Sequence, residues 1–112
     1  MSRYEKDGKV AVLISTDYGA GWSTWADDDE KLLLLFDPAI VEILLEHEGD
    51  DDKEEMKTKI ENIFTLKSYK SYTGGVRDLE IVWVPRGTAF QVRQYDGSES
   101  IILKENDDWI VA

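Results

Sequence analysis

The sequence predicts an α+β domain, with one strand, two helices and then an antiparallel meander of three to four strands, the helices packing on one sheet. Three observations predict it. A short apolar run near the amino terminus, V-A-V-L-I-S, is typical of a buried strand. Two middle segments repeat apolar residues at helical spacing, and the last third alternates apolar and polar residues between turn signals. The 112 residues fit a single domain, 1–112.

The first strand is predicted at residues 9–15. Every residue from Val10 to Ile14 is apolar, so both faces of the strand are apolar, as in a strand at the centre of a sheet. A loop follows over residues 16–29 and ends in a run of acids. Residues 32–36 are almost uniformly apolar and fit either a short strand or a helical turn.

Two helices are predicted next. Asp37 followed by Pro38 is typical of a helix start, because aspartate accepts from the first free amides and proline needs no partner at the first helical position. The apolar spacing that follows predicts a helix over residues 38–48, which Gly49 ends. A one-sided apolar stripe predicts the second helix over residues 53–66.

The last third of the chain is predicted to be a loop followed by strands. Residues 67–78 are rich in lysine, serine, tyrosine and glycine and have the composition of a loop. Asp96-Gly97 is a strong signal for a two-residue hairpin. Strands are predicted at residues 79–84, 88–95, 99–103 and 109–111.

Charge is the main global property of the sequence. Thirteen basic and 24 acidic residues give a net charge of −11, and residues 37–61 alone carry −7. Such a field repels nucleic acid and anionic membranes and attracts basic surfaces. No apolar run approaches the roughly 20 residues that span a bilayer. We therefore expect a cytoplasmic protein that contacts neither membrane nor nucleic acid directly.

The sequence offers few groups for catalysis or metal binding. It has no cysteine, and its one histidine, His47, stands between two glutamates at a predicted helix end, where we expect a solvated surface side chain. Acids after Gly49 approach the spacing of a calcium loop, but Glu55 occupies the place that needs glycine. We expect no enzyme activity, no cofactor and no metal site.

Two loops are candidates for binding a small, nucleotide-like ligand. Residues 17–25 read D-Y-G-A-G-W-S-T-W, which lacks the third glycine of a dinucleotide fingerprint because Thr24 stands there. Residues 67–77 interleave lysines, hydroxyls and tyrosines before two glycines, a pattern suited to anions and stacked bases. The other interpretation is that the aromatic residues fold onto the core. The candidate ligand-binding residues are Tyr18, Gly19, Gly21, Trp22, Trp25, Lys70, Tyr72, Gly74 and Arg77.

A second candidate site is the acidic middle of the chain. Its carboxylates are suited to occupy a groove that another protein uses for the phosphates of nucleic acid. The candidate partner-binding residues are Asp50, Asp51, Asp52, Glu54 and Glu55.

The stretches V-A-V-L-I-S-x-x-Y-G-A-G-W-S-T-W, L-F-D-P-x-I-V, Y-x-G-G, L-E-I-V-W-V-P-x-G-T-x-F and Y-D-G-S-E-S resemble a group of short, mostly uncharacterised proteins of bacteriophages and mobile elements. The resemblance extends from residue 9 to the terminal W-I-V-A. It implies a phage accessory protein, a class rich in non-enzymatic inhibitors of host defence, such as inhibitors of CRISPR or restriction nucleases. The tri-aspartates and the acidic run at residues 27–30 are not part of that pattern.

The sequence thus leaves two functions open. The first is binding and inhibition of a host protein, with a nucleic-acid-binding protein as one candidate partner, through the acidic face. The alternative is binding or sequestering of a small, nucleotide-like ligand by the loops 17–25 and 67–77.

Overall fold

The computed structural model describes residues 3–17, 21–71, 75–103 and 110–111, the last pair in backbone only. Its strands and helices, in chain order, are β1 (Glu5–Lys6), β2 (Lys9–Ser15), α1 (Lys31–Phe36), α2 (Pro38–Glu46), α3 (Glu54–Lys67), β3 (Leu79–Pro85), β4 (Ala89–Tyr95), β5 (Ser98–Leu103) and β6 (Ile110–Val111). Two 3₁₀ turns lie at Ser23–Trp25 and Val76–Asp78. Within these ranges, no helix has both the length and the apolar character needed to cross a membrane.

The α+β class is confirmed, and the predicted elements follow one another in the predicted order, after a short additional strand, β1. Their arrangement also differs, because the strands form two antiparallel sheets instead of one meander. The first sheet has the order β1-β2-β3 and the second the order β5-β4-β6. The ambiguous segment before Asp37 is the short helix α1. In the first sheet, strand β3 pairs with β2, near the start of the chain, rather than with the next strand, β4.

The first sheet is the middle layer of the fold, and β2 lies at its centre, as its two apolar faces predict. Ala11 and Leu13 face a core formed with α2 and α3, whereas Val10 and Val12 face a second core. That second core contains Phe36 of α1 and side chains of the second sheet. The helices α2 and α3 thus pack on one sheet, as expected, and the second sheet covers its other face.

Local signals in the sequence position the helices and the hairpin. The carboxylate of Asp37 accepts from the amides of Ala39 and Ile40, at 2.9 and 3.4 Å, and so caps α2 as predicted. The hairpin between β4 and β5 turns at Asp96 and Gly97, whose φ angles are 54° and 89°. Two successive positive φ angles are those of a type I′ turn, the geometry that this dipeptide favours.

Candidate functional site

The two candidate loops lie at the same end of the first sheet. Strand β2 ends at Ser15, strand β3 begins at Leu79, and these two residues face each other in the antiparallel register. One residue further out, the amide of Thr16 donates to the carbonyl of Asp78 at 3.2 Å. The loop that leaves β2 and the loop that enters β3 therefore start next to each other. We refer to this region as the sheet-end loops, residues 16–30 and 67–78.

A buried carboxylate of the second sheet holds the first of these loops. Glu99, in β5, is 3% exposed and accepts from the amides of Ser15, Trp22 and Thr24 at 3.0, 2.9 and 3.0 Å. The hydroxyl of Thr24 donates to the same carboxylate at 2.6 Å. These four donors meet the acceptor capacity of a buried carboxylate without a cation. Ser15, Trp22 and Thr24 are thereby tied to β5.

The two tryptophans of this loop occupy different environments. Trp22 is 1% exposed, its indole N–H donates to the carbonyl of Leu34 at 2.9 Å, and its ring centroid lies 5.6 Å from that of Phe64. Of the two interpretations left open by the sequence, the structure places Trp22 in the core. Trp25 is 43% exposed, and its ring lies against Gly21, so closely that a Cβ at that position would overlap it.

A second buried carboxylate holds the other loop. Glu30 accepts from the amides of Lys70 and Ser71, each at 3.0 Å, and from the Ser71 hydroxyl at 2.5 Å. The Ser71 hydroxyl lowers the pKa of Glu30 most; burial opposes it, and the two amides and the charge of Lys70 lower it further. The acid at the end of the first loop thus fixes the start of the second.

The helix cap Asp37 adds a third link to the same loop. Besides capping α2, its carboxylate accepts from the Lys67 ammonium at 2.8 Å and from the Tyr69 hydroxyl at 2.6 Å. Burial, together with the hydrogen bond to Asp37, raises the pKa of Tyr69 above its ordinary value. The Tyr69 ring packs edge-on against Phe64, with the centroids 5.3 Å apart. Residues 67–71 are thus attached to the core at several points.

The predicted ligand-binding residues are only partly brought together. Lys70 is exposed at the sheet end, as is Trp25. Arg77 is exposed but forms an ion pair with Glu54 of the acidic segment. Trp22 is enclosed in the core, and Gly21 is covered by a neighbouring ring. The predictions for Tyr18, Gly19, Tyr72 and Gly74 lie outside the described residues.

The acidic segment lies on the outer surface of α2, α3 and their connection. All five predicted partner-binding residues, Asp50, Asp51, Asp52, Glu54 and Glu55, are exposed. Some have local contacts: Asp52 accepts from the amide of Glu54 at 3.0 Å, and Glu55 lies 3.7 Å from the ammonium of Lys59. We call the carboxylates of residues 42–61 and their surface the acidic helix layer.

His47 differs from its sequence-based expectation of a solvated side chain. Its side chain is only 8% exposed, Nδ1 lies 2.7 Å from Oδ2 of Asp50, and Nε2 is buried without a hydrogen-bond partner. It lines a cavity of about 290 Å³ between the α2–α3 connection and β3. The acidic neighbours in the sequence indicated solvent, but α2 ends at Glu46, and the next residue turns inwards against β3.

Sequence reasoning also missed Glu30 and Glu99. For Glu99 a signal existed, since it shares strand parity with Ile101, which packs against the core, so its carboxylate points inwards. Glu30 precedes the buried Leu34 by one helical turn. That spacing predicts a buried Glu30 only if residues 31–36 are known to be helical.

Among the residues that the structure describes, no group of three or more histidine or acidic side chains is placed to hold a metal ion. Comparison with known proteins finds no matching family model, no matching curated protein and no matching solved structure. What the chain binds must therefore be inferred from its own geometry and charge.

Proposed function

We propose that this chain is a non-catalytic protein that binds a basic surface of another protein through its acidic helix layer. In the phage setting that the sequence resemblance implies, the partner is a host defence protein whose nucleic-acid groove becomes occupied and inhibited. CRISPR and restriction nucleases are two partner classes with such a groove.

The observation that carries the proposal is the exposure of these carboxylates. Nine of the ten acids in residues 37–61 are exposed, and the tenth, Asp37, is buried as a helix cap. Only three lysines lie in the same segment. A surface with this excess of one charge steers an oppositely charged partner and accelerates association.

Local ion pairs do not cancel this field. Glu46 and Glu55 share the single ammonium of Lys59, at 3.3 and 3.7 Å, and Glu54 pairs with Arg77. Exposed pairs of this kind contribute about 0 to 1 kcal/mol and exchange readily for other partners. A basic groove can therefore replace them.

The test is capture of nucleic-acid-binding proteins from nuclease-treated bacterial lysate by the immobilised chain. We expect the captured proteins to be released between about 0.1 M and about 1 M salt, over which the Debye length falls from about 10 to about 3 Å. Duplex DNA should also displace them, since it occupies the same groove.

A pair of variants with equal charge change provides the control. Changing Asp50, Asp51 and Asp52 to Asn should abolish capture, whereas Asp27, Asp28 and Asp29 changed to Asn should retain it. Both variants lose the same negative charge, but only the first set belongs to the acidic helix layer. Capture that resists salt and DNA and survives the first variant would contradict the proposal.

A second candidate function, binding of a small anionic or nucleotide-like ligand, is supported by the sheet-end loops. Glu99 and Glu30 hold the two loops next to each other before any ligand arrives, and preorganisation of this kind favours binding. Trp25 contributes a partly exposed aromatic side chain, and Lys70 a cation.

Thermal denaturation with a panel of nucleotides tests this candidate, because a ligand bound only by the folded state raises the melting temperature. Trp25→Ala should remove the increase, and Leu66→Ala, a change at a 79% exposed side chain on α3, should retain it. No increase with any nucleotide would leave the candidate without support.

A further inference from the structure

Strand β3 forms an edge of the first sheet that no other strand in the described part of the chain covers. Hydrogen bonds at its two ends establish which of its residues direct their N–H and C=O groups towards β2. The amide of Thr16 donates to the carbonyl of Asp78, and the amide of Arg86 donates to the carbonyl of Gly8. Since backbone direction alternates along a strand, the even-numbered residues of β3 bond to β2.

The odd-numbered residues of β3 consequently present their backbone groups to the open edge. In the middle of the strand these are the N–H and C=O groups of Ile81 and Trp83, both only partly buried. Their side chains belong to the face of the sheet that α2 and α3 cover. An edge with unpaired amides and carbonyls is a template for an added strand.

The cavity beside His47 adjoins this edge. Apolar side chains of Leu44, Met56 and Trp83 line it. The three acids Glu48, Asp50 and Glu80 outnumber the one cation of the lining, Lys53, so its net charge is negative. An aliphatic stem with a cationic end fits such a lining, because the stem contacts apolar groups and the charge meets carboxylates. The cavity therefore suits a lysine or arginine side chain.

His47 also lines this cavity, and its Nε2 atom is buried without a hydrogen-bond partner. Because the carboxylate of Asp50 is an acceptor, Nδ1 of His47 carries the proton of their 2.7 Å hydrogen bond. In the neutral imidazole, Nε2 is then an acceptor, and it is buried without a partner. A buried polar atom without a partner is unfavourable, and a donor from an ammonium or guanidinium group would satisfy it.

We infer that β3 binds an extended basic segment of the partner protein as an additional antiparallel strand, with a lysine or arginine side chain in the His47 cavity. This inference rests on the proposed function and names the segment and contacts of the partner. In an antiparallel pair, residues opposite Ile81 and Trp83 exchange backbone hydrogen bonds with them and share their helix-side face. The basic side chain thus enters the cavity from the same residue whose amide bonds to β3.

A second copy of this chain fits the edge less well. Two β3 strands related by a two-fold axis perpendicular to the sheet would place both acidic helix layers on the same side. Each copy contributes a segment with a net charge of −7, so the two layers repel. Charge complementarity therefore favours a basic partner.

The test uses the full chain, labelled with ¹⁵N, and the blocked peptide Thr-Val-Lys-Val-Lys-Val-Thr as the probe. Hydrogen exchange at individual amides is measured with and without peptide. We expect exchange at Ile81 and Trp83 to slow when peptide is bound, since their amides gain partners. Val82 and Val84 provide an internal control, because their amides already bond to β2 and should not change.

Modified peptides separate the two parts of the inference. Methylation of both lysine amides should abolish binding, whereas methylation of valine amides, which point away from β3, should not. Replacement of lysine by norleucine should weaken binding about tenfold or more, the effect of losing a charge-assisted hydrogen bond. His47→Phe should remove this preference for lysine, and Leu66→Ala, at a 79% exposed side chain on α3 outside the acidic helix layer, should leave it intact.

Two outcomes would overturn the inference: unchanged exchange at Ile81 and Trp83 with saturating peptide, or equal binding of the lysine and norleucine peptides. Its failure is distinguishable from failure of the proposed function. If capture from lysate depends on Asp50–Asp52 but the β3 edge stays unprotected in the captured complex, only this inference fails. If the peptide protects the edge but capture ignores those aspartates, the proposed function fails.

Discussion

The sheet-end loops and the acidic helix layer use carboxylates in opposite ways. At the sheet end, Glu99 and Glu30 are buried, and their partners are mainly backbone amides. In the acidic helix layer the carboxylates are exposed, and several contact lysine or arginine side chains. One chain with a large acidic excess therefore contains both structural and surface carboxylates.

This difference shows that the net charge of a segment does not indicate whether its acids fix the backbone or contribute to the long-range field. A buried carboxylate that accepts from amides fixes the backbone, and its removal leaves those amides without partners. An exposed carboxylate contributes mainly to the long-range field, which salt screens. Changes at the sheet end should thus affect stability, and changes in the helix layer should affect binding and salt dependence.

The largest effect is expected for Glu99→Ala. It leaves the amides of Ser15, Trp22 and Thr24 without their acceptor, and we expect the free energy of unfolding to fall by about 3 kcal/mol or more. Denaturant unfolding followed by far-UV circular dichroism measures it. The matched change Glu61→Ala, at an exposed acid, should stay within about 0.5 kcal/mol. Equal effects of the two changes would remove the distinction between buried and exposed carboxylates.

The next largest effect is expected for Gly21→Ala, which tests how closely the first loop packs. A Cβ at this position would overlap the Trp25 ring, so either the ring or the loop must move. We expect destabilisation of about 1 to 3 kcal/mol, as for other overpacked sites. Near-UV circular dichroism should change as the ring moves. Gly49→Ala is unsuitable as a control because the φ angle of Gly49 is 82°, which alanine rarely adopts. The comparison within the loop is therefore Ala26→Gly.

How much of the fold could be predicted from sequence depended on whether the signals were local. The bounds of β2 and the start of α2 were predictable, because an apolar run and an Asp-Pro cap act within a few residues. The pairing of β3 with β2 was not, since it joins distant segments, and consecutive strands usually pair. Both strands are apolar on two faces, which is the physical reason that they share the middle layer.

The candidate site was predictable to a similar extent. The meeting of the two loops follows from the pairing of β2 with β3, which the sequence left open. The sequence did not predict the environments of Trp22 and His47, because each depends on a tertiary neighbour. Trp22 packs against Phe64, and His47 lies beside β3. The partners of Glu30 lie 40 and 41 residues away, beyond the reach of local patterns.

A smaller, pH-dependent effect is expected for Glu30→Gln. Glutamine retains an acceptor oxygen for the amides of Lys70 and Ser71, so the loss should be smaller than for Glu99→Ala. Because folding lowers the pKa of Glu30, its ionised form stabilises the folded state above the ordinary value of 4.5, and this contribution is lost as pH falls through the lower, folded pKa. Wild type should therefore exceed the variant in stability at about pH 7, and the difference should shrink at about pH 3. Denaturant unfolding at both pH values measures it, and a difference that grows in acid would contradict the assigned role.

The smallest change in stability is expected for the variant with Asp50, Asp51 and Asp52 all changed to Asn. Asparagine at position 52 still accepts from the amide of Glu54, and reduced repulsion offsets the lost contact of Asp50 with His47. We expect the free energy of unfolding to change by less than about 0.5 kcal/mol. Salt should raise the melting temperature of the wild type by screening the acidic helix layer, and should raise that of this variant less. Thermal denaturation over a salt series measures both effects. An equal response to salt would show that these aspartates contribute little to the repulsion that salt screens.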